Sequence, residues 1–449
     1  MATKSNFRTI ALAGLLYSAI VNGQISPINN FIGVDVSTQP QNTSFNYDSC
    51  FARGTILGMS VTGVFQTWTA METAPLTYNF YILDIANIYY PAFNMPIDLT
   101  IAPIATNNLE VPSDLNTTAF DNPILINRFK KLLDSIKAHM PNVTLSSLVI
   151  GSEHDIYIGT NATLWAQYTT FYDSVSIYAK TLWPGLKVAT ELTFEGITTQ
   201  STFAQTMNTN SDYIGVSYYP LNTNFTVKPV STIPTDFSTL VGLYPSKPLC
   251  FYQYGYPSSL SCNSSEALQA QFISQTFTSW DIYAANIRMI DFTWLHDLDT
   301  AAVNYYSTYY GITDTAFLEF LHTLGMRTWN GNGTDKAAFT ELECQAKQRG
   351  FNNLNINCTA RIMDLSNNDN NIISIYPNPS QYELNIEIPF DLINAELKIY
   401  NQLGQIEIIF SKINSKNISI APFGLSNGIY FIVLQNRDRQ INGKFIINK

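Results

Sequence analysis

Eight short apolar runs recur between residues 31 and 299, and this rhythm constrains the fold more than any other feature of the chain. In order they are FIGVDV, ILGMSVTGVFQTW, PIDLTIAPI, SLVIGSE, KVATELTF, YIGVSYYP, PLCFYQYG and MIDFTWLHD. Helical patterns lie between them, among them NRFKKLLDSIKAH at 127–139 and the stretch 162–182. Strands alternating with helices from about Phe31 to Phe351, roughly 320 residues, predict a parallel sheet with crossover helices. Eight such strands match an α/β fold of the (β/α)8 TIM-barrel type with insertions. An open doubly wound sheet is the alternative, and no G-x-G-x-x-G follows a strand to support it.

The 449 residues leave room for a second, smaller domain. Near Asp364 the pattern changes: DLSNNDNNI (364–372) is a polar, Asn-rich linker. After it come ISIYPNP, YELNIEIPF, ELKIYNQLGQ, GIYFIVLQN and GKFIINK, alternating runs that predict a small all-β sandwich over 373–449. The N-terminus has the layout of a signal peptide over 1–23: Lys4 and Arg8, an apolar run from Ile10 to Val21, then small residues before Gln24. No later stretch reaches about 18 apolar residues, so no membrane span is expected in the exported protein. The net charge of −10 argues against nucleic acid as a partner. Aromatic residues make up 13% of the chain; they either fill the core or line a groove that stacks on sugar faces. Of five cysteines, Cys250 with Cys262 and Cys344 with Cys358 are the economical pairs by proximity, leaving Cys50 over; sequence alone does not fix connectivity.

The tail motifs YPNP (376–379), IYNQLGQ (399–405), LSNGIYFI (425–432) and KFIINK (444–449) resemble, in order and spacing, the C-terminal sorting domain of the Bacteroidetes type IX secretion system. That resemblance implies handling by the type IX machinery, export across the outer membrane, and release or attachment at the cell surface. An accessory carbohydrate-binding sandwich is the alternative. Tyr376 and Tyr430 are expected in its core.

The region 24–363 resembles the clan-A (β/α)8 glycoside hydrolases, in the style of the endo-galactanase-like branch. Four segments carry the resemblance. VIGSEHD (149–155) ends the fourth strand, where the clan has Asn-Glu; Glu153 takes the position of the general acid/base, and Ser152 replaces the Asn that touches a sugar hydroxyl. KPLCFYQYGYPSS (247–259) matches the seventh strand, which in the clan delivers a glutamate nucleophile, often as E-x-G-Y-P-S. Here that position is Gln253, whose neutral amide cannot form the glycosyl ester of a retaining mechanism. GVSYYPL (215–221) offers Tyr218 or Tyr219 as a hydrogen-bond partner for Gln253, and alternation sends one of the two inward. FTWLHDLD (292–299) offers Trp294 as a platform for a sugar ring and His296, Asp297 and Asp299 as partners for hydroxyls. WTAMETAP (68–75) and LGMRTWNGNGTDKAAF (324–339) match as architectural segments.

Glu191 and Glu195, after the fifth strand, are possible substitutes for the missing carboxylate. Glu191 reads first as a solvated loop residue; pointing inward, it would be a displaced nucleophile or an inverting base. His154, His296 and the nearby aspartates lack metal-ligand spacing, so neither a metal nor another cofactor is expected. The resemblance implies an exported glycoside hydrolase-like protein that acts on, or only binds, a β-linked polysaccharide or oligosaccharide. A serine hydrolase on the same scaffold would need a G-x-S-x-G elbow, and none is present.

Overall fold

The computed structural model describes residues 24–354, 358, 374–381, 383–388, 395–401, 406–421, 424–435 and 440–449. The expected signal peptide (1–23) and linker (364–372) lie outside the described residues. The chain divides into two compact units, up to Ile356 and from Asn357 onward.

In the first unit eight parallel strands form a sheet in sequence order. They are β1 (Phe31–Val34), β2 (Thr62–Thr67), β3 (Ile97–Ala105), β4 (Leu145–Ser152), β5 (Val188–Thr193), β6 (Tyr213–Tyr218), β7 (Leu249–Tyr254) and β8 (Ile287–Phe292). β1 pairs with β8, and a parallel bridge from Gly33 to Val61 brings β1 against the start of β2 and closes the ring. All eight apolar runs of the sequence contribute a barrel strand. All nine residues of β3 are buried, as expected of a parallel strand covered on both faces. Gly33 is required at the closure, since a Cβ there would lie 2.6 Å from the Asp291 carboxyl carbon of β8.

The helices pack outside the ring through apolar stripes. Pro123–His139 buries Leu125, Phe129, Leu132, Leu133 and Ile136, and Ala162–Leu182 buries Trp165, Tyr168, Phe171 and Tyr172. The first of these starts four residues before the stretch expected from periodicity. Asn122 caps it by accepting from the Ile124 N–H, and Pro123 fits the first turn, where no intrahelical donor is needed.

The second unit has antiparallel sheets of three and four strands. Its core contains Leu384, Ile386, Leu397, Ile399, Ile432, Leu434 and Phe445. Tyr430 joins this core and stacks on Phe445 with centroids 5.5 Å apart. Tyr376, expected in the core, is instead exposed: alternation along the edge strand Ser374–Tyr376 turns Ile375 inward and Tyr376 out.

The cysteines correct one expectation. Cys250 and Cys262 are unpaired: Cys250 packs with Val61 and Met289, whereas Cys262 packs with Phe317 and Phe320 in a separate cluster. Cys50 is also free and buried. Cys344 and Cys358 are disulfide-bonded.

Candidate active site at the mouth of the barrel

The C-terminal ends of β4 to β7 bring a set of polar side chains together. β4 ends irregularly: Gly151 has φ +85°, where a Cβ would also collide with the Tyr168 hydroxyl, and Glu153 has φ +50°. This left-handed turn presents Ser152 and Glu153 in succession to the barrel mouth. Glu153 accepts from the Ser217 hydroxyl of β6 and, at 2.7 Å, from the Thr106 hydroxyl just past β3.

Gln253 projects from β7 into the same region. Its carbonyl accepts from the Tyr219 hydroxyl at 3.1 Å. Its amide nitrogen donates to Ser152 Oγ at 3.1 Å and to Glu191 Oε2 at 3.3 Å. Ser152 also donates to Glu191 Oε2, at 2.7 Å. The choice left open by the sequence is thereby resolved in favour of Tyr219. Tyr218 faces the other way, among Phe194, Phe237 and Tyr254, and donates to Asp236 at 2.7 Å.

Glu191 is not a solvated loop residue. It lies within β5 and is only 2% exposed. Burial, and then the Glu153 charge, push its carboxyl up to about 8, so it is protonated at neutral pH. Its Oε1 has no hydrogen-bond partner among the described residues. Next to it His154 is fully buried against Tyr168, and desolvation lowers its pKa to about 3, so the ring is neutral. Asp155 accepts from the Thr193 N–H and hydroxyl, tying the end of β4 to the end of β5.

The segment after β8 behaves differently. His296 is fully buried: Nδ1 lies 3.1 Å from the Thr38 carbonyl and Nε2 lies 2.9 Å from an Arg327 nitrogen. Asp297 forms a buried ion pair with Lys336 at 2.6 Å. Asp299 caps the helix Thr300–Tyr310 by accepting from Ala302 N–H at 2.7 Å. One Asp299 oxygen is taken up by the cap, while His296 and Asp297 are committed inside the protein rather than offered to sugar hydroxyls. Their partners Arg327 and Lys336 come from the 324–339 segment, which explains its architectural character. Trp294 is half-buried, stacks on Tyr306 with centroids 6.0 Å apart and turns its indole N–H toward Asp35 at the end of β1. Glu72 in the 68–75 segment likewise accepts from the Trp68 indole and the Leu76 N–H and pairs with Arg128.

Sequence reasoning missed Asp35, Thr106, Ser217 and Tyr310. For Ser217 the signal was available, because alternation puts it on the same face of β6 as Tyr219. Alternation through Ala189, Glu191 and Thr193 would equally have turned Glu191 inward. A surface hollow of about 550 Å³ lined by Tyr78, Phe80, Asp84 and His139 contains none of these mouth residues. Among the described residues no group of three His, Cys, Asp or Glu side chains is arranged to hold a metal ion, and no helix is long and apolar enough to cross a membrane.

Residues 374–448 match the secretion system C-terminal sorting domain. No curated protein matches the sequence. Among solved structures, an exo-β-1,4-mannosidase from Opitutaceae bacterium strain TAV5 aligns with a TM-score of 0.56 and 13% identity, covering 73% of this chain and 62% of that one. A GH5_18 protein from Bifidobacterium longum subsp. longum, solved with Manβ1-4GlcNAc, aligns with a TM-score of 0.54 and 14% identity over 71% of this chain and 78% of that one. A β-glucuronidase from Bacteroides uniformis aligns with a TM-score of 0.48 and 10% identity, over 93% of this chain and 46% of that one. The chain thus spans less than two thirds of the length of the mannosidase and of the glucuronidase. It carries a (β/α)8 barrel with the fold of glycoside hydrolases, followed by a type IX sorting domain of the kind that marks proteins exported to the cell surface or beyond.

Proposed function

We propose that this is an exported glycoside hydrolase-like protein whose barrel mouth binds a β-linked polysaccharide or oligosaccharide without cleaving it by a retaining mechanism. In this reading Glu153 stands where a retaining glycosidase keeps its acid/base, and Gln253 stands in place of the nucleophile. The observation that carries it is the Gln253 amide. It is held at both ends, by Tyr219 on one side and by Ser152 and Glu191 on the other, and it supplies no carboxylate to attack an anomeric carbon. The sorting tail and the similarity in fold to the mannosidase and the GH5_18 protein support export and a glycan ligand.

Turnover of 4-nitrophenyl β-mannoside, β-glucoside and β-xyloside tests the reading. The wild type is expected to stay at background and Gln253→Glu to gain activity. Adding Glu153→Gln to that variant should remove the gain by roughly 10²- to 10⁴-fold, the usual contribution of a general acid/base. Wild-type turnover abolished by Glu153→Gln would replace binding with catalysis.

A second reading rests on the unpartnered Glu191 Oε1. If Glu191 were the missing base, the wild type would hydrolyse substrate only as pH passes about 8, where its carboxylate forms, and Glu191→Gln would abolish that rise.

A further inference from the structure

The loop after β8 does more than carry Trp294. Helix Thr300–Tyr310 starts at the Asp299 cap above β8 and ends at Gly311, in the left-handed conformation that stops a helix. Its far end is fastened to the turn and hairpin that follow β3. Asn107 Nδ2 donates to the Tyr310 carbonyl at 2.9 Å, and Asn108 Nδ2 donates to the Tyr309 carbonyl at 3.0 Å. The Tyr309 hydroxyl donates to Glu110 at 2.7 Å. Eleven residues at 1.5 Å rise give a helix about 16 Å long, enough to cross between strands that are not neighbours in the ring. In the sheet order β8 and β3 are separated by β1 and β2 on one side and by β4 to β7 on the other.

The helix also touches the candidate site. The Tyr310 side chain sits beside Thr106, whose hydroxyl donates to Glu153, and its phenol is pushed up by burial and then by the Glu153 charge. Tyr306 and Tyr310 continue the Trp294 stack at 5.9 Å. Behind it, Thr315–Thr323 packs Phe317 and Phe320 against Phe225 and Tyr219 of the segment after β6. The walls over β8, β3 and β6 are thus joined to one another by specific contacts. An open cleft, which lets a polymer pass through, needs a mouth unobstructed on two opposite sides.

We propose that helix Thr300–Tyr310 is a strap that turns the mouth into a pocket for a chain end, so the ligand is an oligosaccharide or a polymer terminus rather than the interior of a polysaccharide. This deepens the glycan-binding reading and rests on it.

The test uses the full-length exported protein and calorimetric titration with β-1,4-mannan, β-1,4-glucan and β-1,4-xylan, each as a hexasaccharide and as soluble fractions of increasing length. With the strap closed, the number of protein molecules bound per polymer chain stays constant as chains lengthen. The triple variant Asn107→Ala, Asn108→Ala, Tyr309→Phe releases the clamp, and its stoichiometry is expected to rise with chain length. A wild-type stoichiometry that rises with length overturns the strap while leaving glycan binding standing. Binding by the released variant alone also overturns it, since the helix would then be a plug. Absence of binding to every glycan by both proteins removes the glycan reading and this inference with it. Hydrogen exchange without ligand supplies an independent check: the triple variant should speed exchange at least tenfold in 300–310 and 106–110 together, and unchanged exchange would show that these contacts do not hold the strap.

Discussion

Two parts of the mouth were expected to do the same work, and the structure treats them oppositely. At the ends of β4 to β7, polar side chains face one another inside the barrel, and one of them, Glu191, keeps an oxygen without a partner. After β8, His296 and Asp297 are paired with Arg327 and Lys336. Both segments are rich in the residue types that bind sugars. What separates them is where the partners come from: the β4 to β7 side chains bond to one another across the mouth, and the two after β8 bond to a distant segment. A polar residue whose partners come from a distant segment holds the chain together; one whose partners are other mouth residues, or which lacks one, remains available to a ligand.

The largest expected effect sharpens that contrast. Asp297→Ala leaves Lys336 charged, buried and unpaired, which typically costs about 3–5 kcal/mol. Glu153→Gln keeps the shape and one acceptor for its two hydroxyl donors and should cost less, about 1.5–3 kcal/mol. Urea unfolding of the two variants measures both. Equal losses would break the distinction between a structural β8 segment and a candidate ligand site at β4 to β7.

The next effect is a pH dependence. The Glu191 carboxyl moves from 4.5 to about 8 on folding. Between those values the unfolded chain is ionised at this position while the folded protein keeps the proton. Stability therefore falls as pH rises from about 4.5 to about 8, by up to about 1.4 kcal/mol per unit, and levels off above that. Asp297, raised to about 6 by burial against the opposing pull of Lys336, adds a slope of the same sign only up to about pH 6. Thermal or urea unfolding between pH 6 and 8 separates the two. The wild type should lose stability relative to Glu191→Gln across that window, and parallel curves would mean that Glu191 is ionised in the folded protein.

The barrel was legible because its signal is repeated and local: eight buried strands each need an apolar run, and the helices between them need an apolar stripe. Glu153 and Gln253 were legible because each ends a strand at the mouth. His296 and Asp297 were misjudged because their partners lie 31 and 39 residues downstream. Nothing local in HDLD shows that an Arg and a Lys will return to neutralise it. Glu191 was misplaced for the opposite reason. The run KVATELTF contained it and gave the alternation, but Glu191 was grouped with Glu195 beyond the strand, so a strand residue was read as a loop residue. Tyr310 and Thr106 meet only because a helix that starts after β8 ends against the turn after β3, a tertiary arrangement without a periodic signature.

The smallest effect concerns the adjacent tyrosines, where alternation gives two identical side chains different tasks. Tyr219→Phe removes the donor to the Gln253 carbonyl, a hydrogen bond worth about 0.5–1.5 kcal/mol, and frees the amide to rotate. Glycan affinity should fall by roughly two- to tenfold while the protein remains folded. Tyr218→Phe removes the donor to Asp236 in the layer between sheet and helices, and a bond to a carboxylate is worth about 1.5–3 kcal/mol. It should lower stability and leave affinity unchanged. Calorimetric binding and urea unfolding of both variants give a two-by-two comparison. Loss of affinity in Tyr218→Phe without loss in Tyr219→Phe would reverse the assignment of the inward face of β6, and with it the placement of Gln253 at the centre of the site.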